Sequence, residues 1–164
     1  MVMLHMIEGP VGAGKSTYAN HLGHQIKAAP LVLDDWMAML FRADRPDGEV
    51  WQWYGERKQR CIEQIWCLAR AQIAMGGNAI VELGLVQRVP RVSFYERVEA
   101  ADIDLRVHVL DASHDERLRR VQARNRQRGE TFAMEVSDEV FAIASGMWEA
   151  VDEDEARGRD IVFV

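Results

Sequence analysis

The sequence predicts an α/β fold, a five-stranded parallel sheet with helices on both faces, and two observations lead to this prediction. Short apolar runs alternate with longer segments of helical spacing throughout a chain of 164 residues. Continuous apolar runs are typical of strands buried on both faces of a parallel sheet, and the alternation itself is typical of α/β folds. The length suits a single domain, which we expect to cover residues 1–164.

Composition and charge limit the classes of partner. Hydrophobic residues make up 48% and charged residues 28% of the chain, a globular composition. The net charge of −6 argues against a nucleic-acid partner. The apolar run at residues 2–7 is too short for a signal peptide or a membrane span, so we expect a cytoplasmic protein without a membrane partner. Cys61 and Cys67 lie on different faces of a predicted helix, so no internal disulfide is expected.

The first quarter of the chain has a strand–helix–strand–helix pattern. The run at residues 2–7 predicts the first strand, and the apolar residues that follow recur at helical spacing. A second strand is predicted at residues 31–33. Asp34 and Asp35 are therefore expected at the C-terminal end of this strand, before a short helix over residues 36–41.

The same patterns predict the remaining elements. Strands are expected at residues 79–83, 105–110 and 161–164. Helices are expected at residues 51–75, 91–101 and 114–126, and after a Ser137 cap. The long helix should bury Cys61, Ile65, Leu68, Ala69 and Ile73. The acidic residues 152–155 are expected to be solvated.

Residues 9–16 read GPVGAGKS and match the Walker A pattern GxxxxGK[ST] at every fixed position. A buried strand precedes this segment and an amphipathic helix follows it, which is the context that a phosphate-binding loop (P-loop) requires. Its glycines let backbone N–H groups converge on an anion, and the helix directs its positive end there. We therefore predict binding of ATP with Mg²⁺, through Gly9, Gly12, Ala13, Gly14, Lys15, Ser16 and Thr17.

Two side chains of this loop have predicted roles of their own. Lys15 should reach the β- and γ-phosphates and take part in catalysis, and the Ser16 hydroxyl should bind Mg²⁺. The chain has no Asn-Lys-x-Asp sequence for reading guanine, which argues against a GTPase.

The order of these features resembles that of small P-loop kinases, most closely the zeta-toxin-like and chloramphenicol-phosphotransferase-like ATP-binding proteins of the AAA type. The resemblance runs from residue 2 to about residue 149 and includes residues 77–82, which are similar to the third-strand segment of zeta toxins. It implies a P-loop NTPase fold like that of nucleoside monophosphate kinases, with a small lid near residues 124–136. The activity it implies is transfer of the γ-phosphate of ATP to a hydroxyl group of a small molecule.

The resemblance also implies roles for acidic residues. An aspartate just after the second strand acts as general base in this family, which by position corresponds to Asp35, with Asp34 as second choice. The alternative is that one of them caps the following helix. Glu82 ends the third strand on the same sheet edge, where it would contribute to the Mg²⁺ site or orient the acceptor. The alternative for Glu82 is a strand end that faces solvent.

An arginine-rich helix precedes the predicted lid. Arg117, Arg120, Arg124 and Arg128 follow each other at spacings of three or four residues and so form one stripe. By resemblance, Arg120 and Arg124 are expected to bind ATP, and Arg128 to stabilise the transition state after lid closure. The alternative is a solvated, charged helix face.

The acceptor is not identified by the sequence. Trp36, Trp51, Trp53 and Tyr54 could form the walls of an acceptor pocket or pack a loop against the long helix. Arg88 and Arg91 could face the same cleft. Two other functions remain as alternatives: a nucleotide-binding regulatory module with little transfer activity, and a polynucleotide 5′-hydroxyl kinase, against which the net charge argues.

Overall fold

The computed structural model describes residues 1–129 and 135–164, and the five strands in this part of the chain form a parallel sheet. They are β1 (Leu4–Glu8), β2 (Pro30–Val32), β3 (Ala79–Glu82), β4 (Leu105–Val109) and β5 (Asp160–Phe163). Their order across the sheet is β2-β3-β1-β4-β5. The predicted fold class is confirmed, and the phosphate loop follows the central strand.

The described residues form seven α-helices: α1 (Lys15–Ile26), α2 (Leu33–Phe41), α3 (Val50–Ala74), α4 (Arg88–Glu99), α5 (His114–Gln127), α6 (Asp138–Gly146) and α7 (Glu153–Ala156). The predicted cap of α6 is present, since the Ser137 side chain accepts a hydrogen bond from the backbone N–H of Val140. None of these helices is long and apolar enough to cross a membrane.

Two separate apolar cores cover the two faces of the sheet. Leu4 and Met6 of β1 belong to a core shared with α2, α3 and α4, whereas Ile7 belongs to a smaller core shared with α1. This division follows from the alternation of side chains along a strand. Because helices cover both faces, the central strands β1 and β3 are buried along their whole length, as their mostly apolar pattern predicted.

Helix α3 buries a slightly different stripe from the predicted one. Cys61, Ile65 and Ala69 are buried as expected, but Leu68 is 40% exposed and Trp66 is buried beside them. The Trp66 ring packs edge-on against the Phe94 ring of α4, with 5.7 Å between the ring centroids. Cys61 is buried, Cys67 is exposed and both are free thiols, as their predicted positions on different faces implied.

The acidic segment near the C-terminus differs most from expectation. Glu155 lies in α7 and is fully buried, with both carboxylate oxygens 2.8 Å from guanidinium nitrogens of Arg91. The Tyr95 hydroxyl donates to the same carboxylate at 3.3 Å. The prediction that residues 152–155 are solvated is therefore wrong for Glu155. Arg91 is buried in this pair and does not face the cleft. The prediction failed because the Arg91–Glu155 ion pair joins α4 to α7, two helices that are far apart in the sequence.

Buried histidines link the sheet to α1. His5 Nδ1 lies 2.9 Å from His108 Nε2, and His108 Nδ1 lies 2.9 Å from the Tyr18 hydroxyl. Burial lowers the pKa of both histidines, and that of His108 falls to about 4. Both rings are therefore neutral in the native protein at neutral pH.

This network predicts a loss of stability in mild acid. An unfolded histidine binds its proton near pH 6.5, whereas folded His108 binds one only near pH 4, so the unfolded state binds more protons between these values. From pH 7 to pH 5, His108 should lower the free energy of unfolding by about 2 kcal/mol. Urea unfolding at both pH values measures this loss, and the difference should shrink in a His108→Gln variant. If the natural protein and the variant lose the same free energy of unfolding between pH 7 and pH 5, His108 is not the source of the loss.

Candidate active site

The phosphate loop occupies the turn between β1, which ends at Glu8, and α1, which begins at Lys15. Gly12 has a φ of +78°, and a Cβ atom there would lie 2.6 Å from the carbonyl oxygen of Arg117. A Cβ atom at Gly9 would collide with the carbonyl oxygen of Leu110. Larger residues at these positions would displace the loop, so the predicted glycines are needed for its shape.

Lys15, Ser16 and Glu82 meet at the C-terminal edge of β1 and β3. The Ser16 hydroxyl donates to Glu82 Oε2 at 3.1 Å, and the Lys15 ammonium lies 3.9 Å from Glu82 Oε1. Lys15 also donates to the Pro10 carbonyl at 3.1 Å. Sequence reasoning named all three residues, and the pairing of β1 with β3 brings them together.

Glu82 is buried rather than exposed at its strand end. Desolvation raises the pKa of its carboxyl group, while the charge of Lys15 lowers it. The negative charges of Asp34 and Asp35 raise it further, and the hydrogen bond from Ser16 lowers it. The solvent-facing alternative for Glu82 is therefore wrong, and its carboxylate faces the phosphate loop.

The Ser16 and Glu82 oxygens fit Mg²⁺. This ion prefers oxygen ligands, keeps several waters and usually takes only one or two protein ligands beside substrate phosphates. Within residues 1–129 and 135–164, no group of three or more His, Cys, Asp or Glu side chains forms an all-protein metal site. Ser16 and Glu82 are the described residues that would hold Mg²⁺.

Glu8, at the end of β1, was not predicted as a site residue. Its side chain is buried, and its Oε1 has no hydrogen-bond partner among the described residues. Burial raises the pKa of this carboxyl group well above its ordinary value, against the opposing charges of Arg91 and Lys15. The only sequence signal was an acidic residue at the end of an apolar strand.

The second strand ends earlier than predicted. Strand β2 covers Pro30–Val32 and Leu33 already begins α2, so Asp34 and Asp35 lie in the first turn of a helix. The N-cap residue of α2 is Val32, and no side chain makes a capping hydrogen bond. Neither aspartate caps the helix, although acidic residues in a first turn interact favourably with the helix dipole.

Both aspartates lie near the phosphate loop, because β2 pairs with β3 as far as Glu82. Partial burial raises the pKa of Asp35, and the charge of Asp34 adds to this rise. Burial raises the pKa of Tyr54 to about 12, with a further contribution from Asp34. The charge of Asp34 raises the pKa of Glu82 more than the charge of Asp35 does. It also favours the charged form of Lys58. The structure thus retains both aspartates as candidates and couples Asp34 to more groups.

Arg117 and Arg120 connect α5 to the phosphate loop. Arg117 is buried, and its Nη1 donates to the Val11 carbonyl and to the Ser145 hydroxyl, both at 3.0 Å. Arg120 Nη1 donates to the Ala13 carbonyl at 3.1 Å. Arg120 therefore contacts the phosphate loop, and its expected role in ATP binding stays a prediction. Arg117 was not named as a site residue, although its position three residues before Arg120 on the stripe pointed to it.

Arg124 has a buried Nε that makes no hydrogen bond within the described part of the chain. A buried donor of this kind suits a bound anion. Arg128 follows the end of α5, is exposed, and lies 3.5 Å from Glu135. In the predicted lid, residues 130–134 lie outside the described residues. The stripe is not simply a solvated face, since Arg117 and Arg120 contact the loop.

The four aromatic residues of the predicted acceptor region differ in their environments. Trp36 and Tyr54 pack against the main core. The Trp53 ring contacts Phe41 and lies 4.3 Å from the Arg57 guanidinium. Trp51 is 84% exposed. Packing is therefore the role of most of these rings, and Arg57 is held against one of them.

Solved structures with this fold include three proteins described as kinases. A candidate kinase from Chloroflexus aurantiacus has a TM-score of 0.74 at 15% identity, over 99% of this chain and 84% of that chain. A sugar kinase from a Janibacter species has a TM-score of 0.63 at 14% identity, over 100% and 85%. A gluconokinase from Sinorhizobium meliloti has a TM-score of 0.57 at 14% identity, over 99% and 81%. At these identities the similarity establishes the fold.

Sequence comparisons give the family. No curated protein sequence matches the chain at a significant level. A family model described as an AAA domain matches residues 4–144, which include the phosphate loop, both aspartates, Glu82 and the arginine-rich helix. The match covers far more than half of the chain, and the chain therefore belongs to the AAA domain family.

Proposed function

We propose that this protein is an ATP-dependent phosphotransferase that moves the γ-phosphate of ATP to a hydroxyl group of a small molecule. The observation that carries the proposal is the cluster of Lys15, Ser16 and Glu82 at the phosphate loop, with two aspartates in the helical turn that follows the adjacent strand β2. The names of the structural neighbours, which include a sugar kinase and a gluconokinase, support the same class of reaction.

Each residue has a defined task in this reaction. Backbone N–H groups of the loop and the Lys15 ammonium bind the phosphates of ATP, and Arg120 holds the loop from α5. Bound Mg²⁺ would neutralise charge on the β- and γ-phosphates, with Ser16 and Glu82 holding it. A carboxylate of the Asp34–Asp35 pair accepts the proton of the acceptor hydroxyl.

Bond changes follow from these positions. The acceptor oxygen forms a bond to the γ-phosphorus while the bond from that phosphorus to the bridging oxygen breaks, and ADP leaves. Arg124 and Arg128 would stabilise the charge on the transferred group once the site is closed. Catalysis then depends mainly on positioning and charge stabilisation.

The proposal predicts that Lys15→Ala weakens ATP binding. The ammonium is the cation of the loop that reaches the phosphates, and hydrogen bonds to charged groups contribute about 1.5–3 kcal/mol, so the Kd should rise by about 10–100-fold. Calorimetric titration with ATP and Mg²⁺ measures this change, with Lys27→Gln as the matched control on the exposed end of α1. A Lys15→Ala protein that binds ATP normally would rule out the proposed nucleotide site.

The acceptor is found by measuring ATP consumption against a library of hydroxyl-bearing metabolites and antibiotics. Strong stimulation by one chemical class establishes the transferase and identifies its acceptor. Tight ATP binding without stimulation by any compound favours the regulatory module instead.

A further inference from the structure

A groove of about 260 Å³ lies between α3 and the segment that joins β3 to α4. Its wall on the sheet side begins at Gly84, two residues after Glu82, so the groove adjoins the edge of the sheet that carries the candidate site. Among the described residues that line it, Lys58 alone carries a charge. Gln59 and Gln87 add amide groups, and Met147 adds an apolar surface.

The Lys58 ammonium is partly buried, and few interactions offset the energetic cost of removing its charge from water. Its one described hydrogen bond goes to the Gly84 carbonyl at 3.5 Å, a distance at which such a bond is weak. No carboxylate of the described residues lies within ion-pair distance of it. A partly buried cation without a direct counter-ion is costly, and an anionic ligand would remove that cost.

The groove also lies near Asp34 and Asp35. Helix α3 packs against α2, which carries Asp34 and Asp35 in its first turn. Burial lowers the pKa of Lys58, but the charges of Asp34 and Glu8 oppose this and favour the ammonium form. The nearby Arg57 is held on the Trp53 ring and donates to its carbonyl oxygen, so Lys58 is the cation that faces the groove.

We propose that Lys58 and this groove bind an anionic group of the acceptor, a carboxylate or a phosphate, while the acceptor hydroxyl lies at the Asp34–Asp35 pair. This inference rests on the proposed function, since it specifies the class of acceptor for the same site. The acceptor is then an acidic hydroxyl compound, and Lys58 determines specificity without taking part in the transfer. A neutral sugar or alcohol would leave the cation without a partner.

The chain has three lysines, so protein labelled with ¹³C at lysine Cε gives three side-chain signals, assigned with Lys58→Gln and Lys27→Gln variants. The protein is first saturated with ADP and Mg²⁺. It is then titrated separately with two pairs of compounds, each with one charged and one neutral member: gluconate and glucose, and glycerol 3-phosphate and glycerol. The charged member of a pair should shift the Lys58 signal saturably and leave the Lys27 signal in place. A response to gluconate alone identifies a carboxylate, and a response to glycerol 3-phosphate alone identifies a phosphate.

Calorimetry on the same compounds gives the size of the effect. Lys58→Gln should raise the Kd of the bound anion by about 10-fold or more, because a charged hydrogen bond is lost, and Lys58→Arg should restore part of the affinity. Lys27→Gln should have no effect. A Lys58 signal that is indifferent to all four compounds, or that responds equally to neutral and charged ones, overturns the inference.

The experiment separates this inference from the proposed function, because binding is measured without turnover. A protein that binds the anions through Lys58 but transfers no phosphate to any hydroxyl compound contradicts the proposed function alone. Efficient transfer to a neutral acceptor that survives Lys58→Gln contradicts the inference alone.

Discussion

Replacement of both Asp34 and Asp35 by asparagine is expected to lower the rate of phosphate transfer by about 10²–10⁴-fold, the usual contribution of a general base. The carboxylate that accepts the hydroxyl proton is then absent, and the amide cannot replace it. ATP affinity should be unchanged or slightly higher, since two negative charges near the phosphate loop are removed. Steady-state kinetics with the identified acceptor, together with ATP titration, test both parts. A double variant that retains turnover contradicts the proposed mechanism.

The two single variants then identify the base. The position after the second strand favoured Asp35, whereas Asp34 has the stronger effect on the pKa of Glu82 and also affects the pKa of Lys58 and of Tyr54. The base is the residue whose substitution alone reproduces most of the loss. If Asp35 is the base, Asp34→Asn should move the acid limb of the pH–rate profile to lower pH, because the charge of Asp34 raises the pKa of Asp35.

Substitution of Glu155 by alanine should destabilise the fold by about 3–5 kcal/mol, because it leaves the fully buried Arg91 guanidinium without its counter-ion. Denaturant unfolding measures the loss. Intrinsic tryptophan fluorescence is a convenient signal, since one of the five tryptophan rings, that of Trp148, lies 4.8 Å from the Arg91 guanidinium.

A neighbouring ion pair provides the control. Asp154 lies 2.8 Å from Arg157, both side chains are exposed, and Asp154→Asn should cost at most about 1 kcal/mol. Replacing both partners by apolar residues, as in Arg91→Met with Glu155→Leu, should recover part of the stability. If Glu155→Ala costs no more than Asp154→Asn, the buried pair does not have the role that its geometry indicates.

The phosphate loop could be predicted from sequence because its properties are local. Backbone conformation at Gly9 and Gly12, the preceding apolar strand and the helix that begins at Lys15 all lie within a few turns of chain. Strand and helix patterns also depend mainly on local periodicity, which is why the fold class and most element positions were predicted. The early end of the second strand was missed, since a leucine is equally compatible with a strand end and a helix start.

Interactions between distant segments could not be predicted in this way. The Arg91–Glu155 pair, the buried Glu8 carboxyl group and the contact of Arg117 with the loop each depend on which strands are neighbours. The same is true of Lys58, whose groove exists only because α3 lies beside the segment after β3. By itself, the sequence determined the phosphate-binding chemistry and the class of fold, because these depend on short stretches of chain. The tertiary structure alone decided which charges are buried, paired or left facing a groove, because that depends on burial and on distances between residues far apart in the chain.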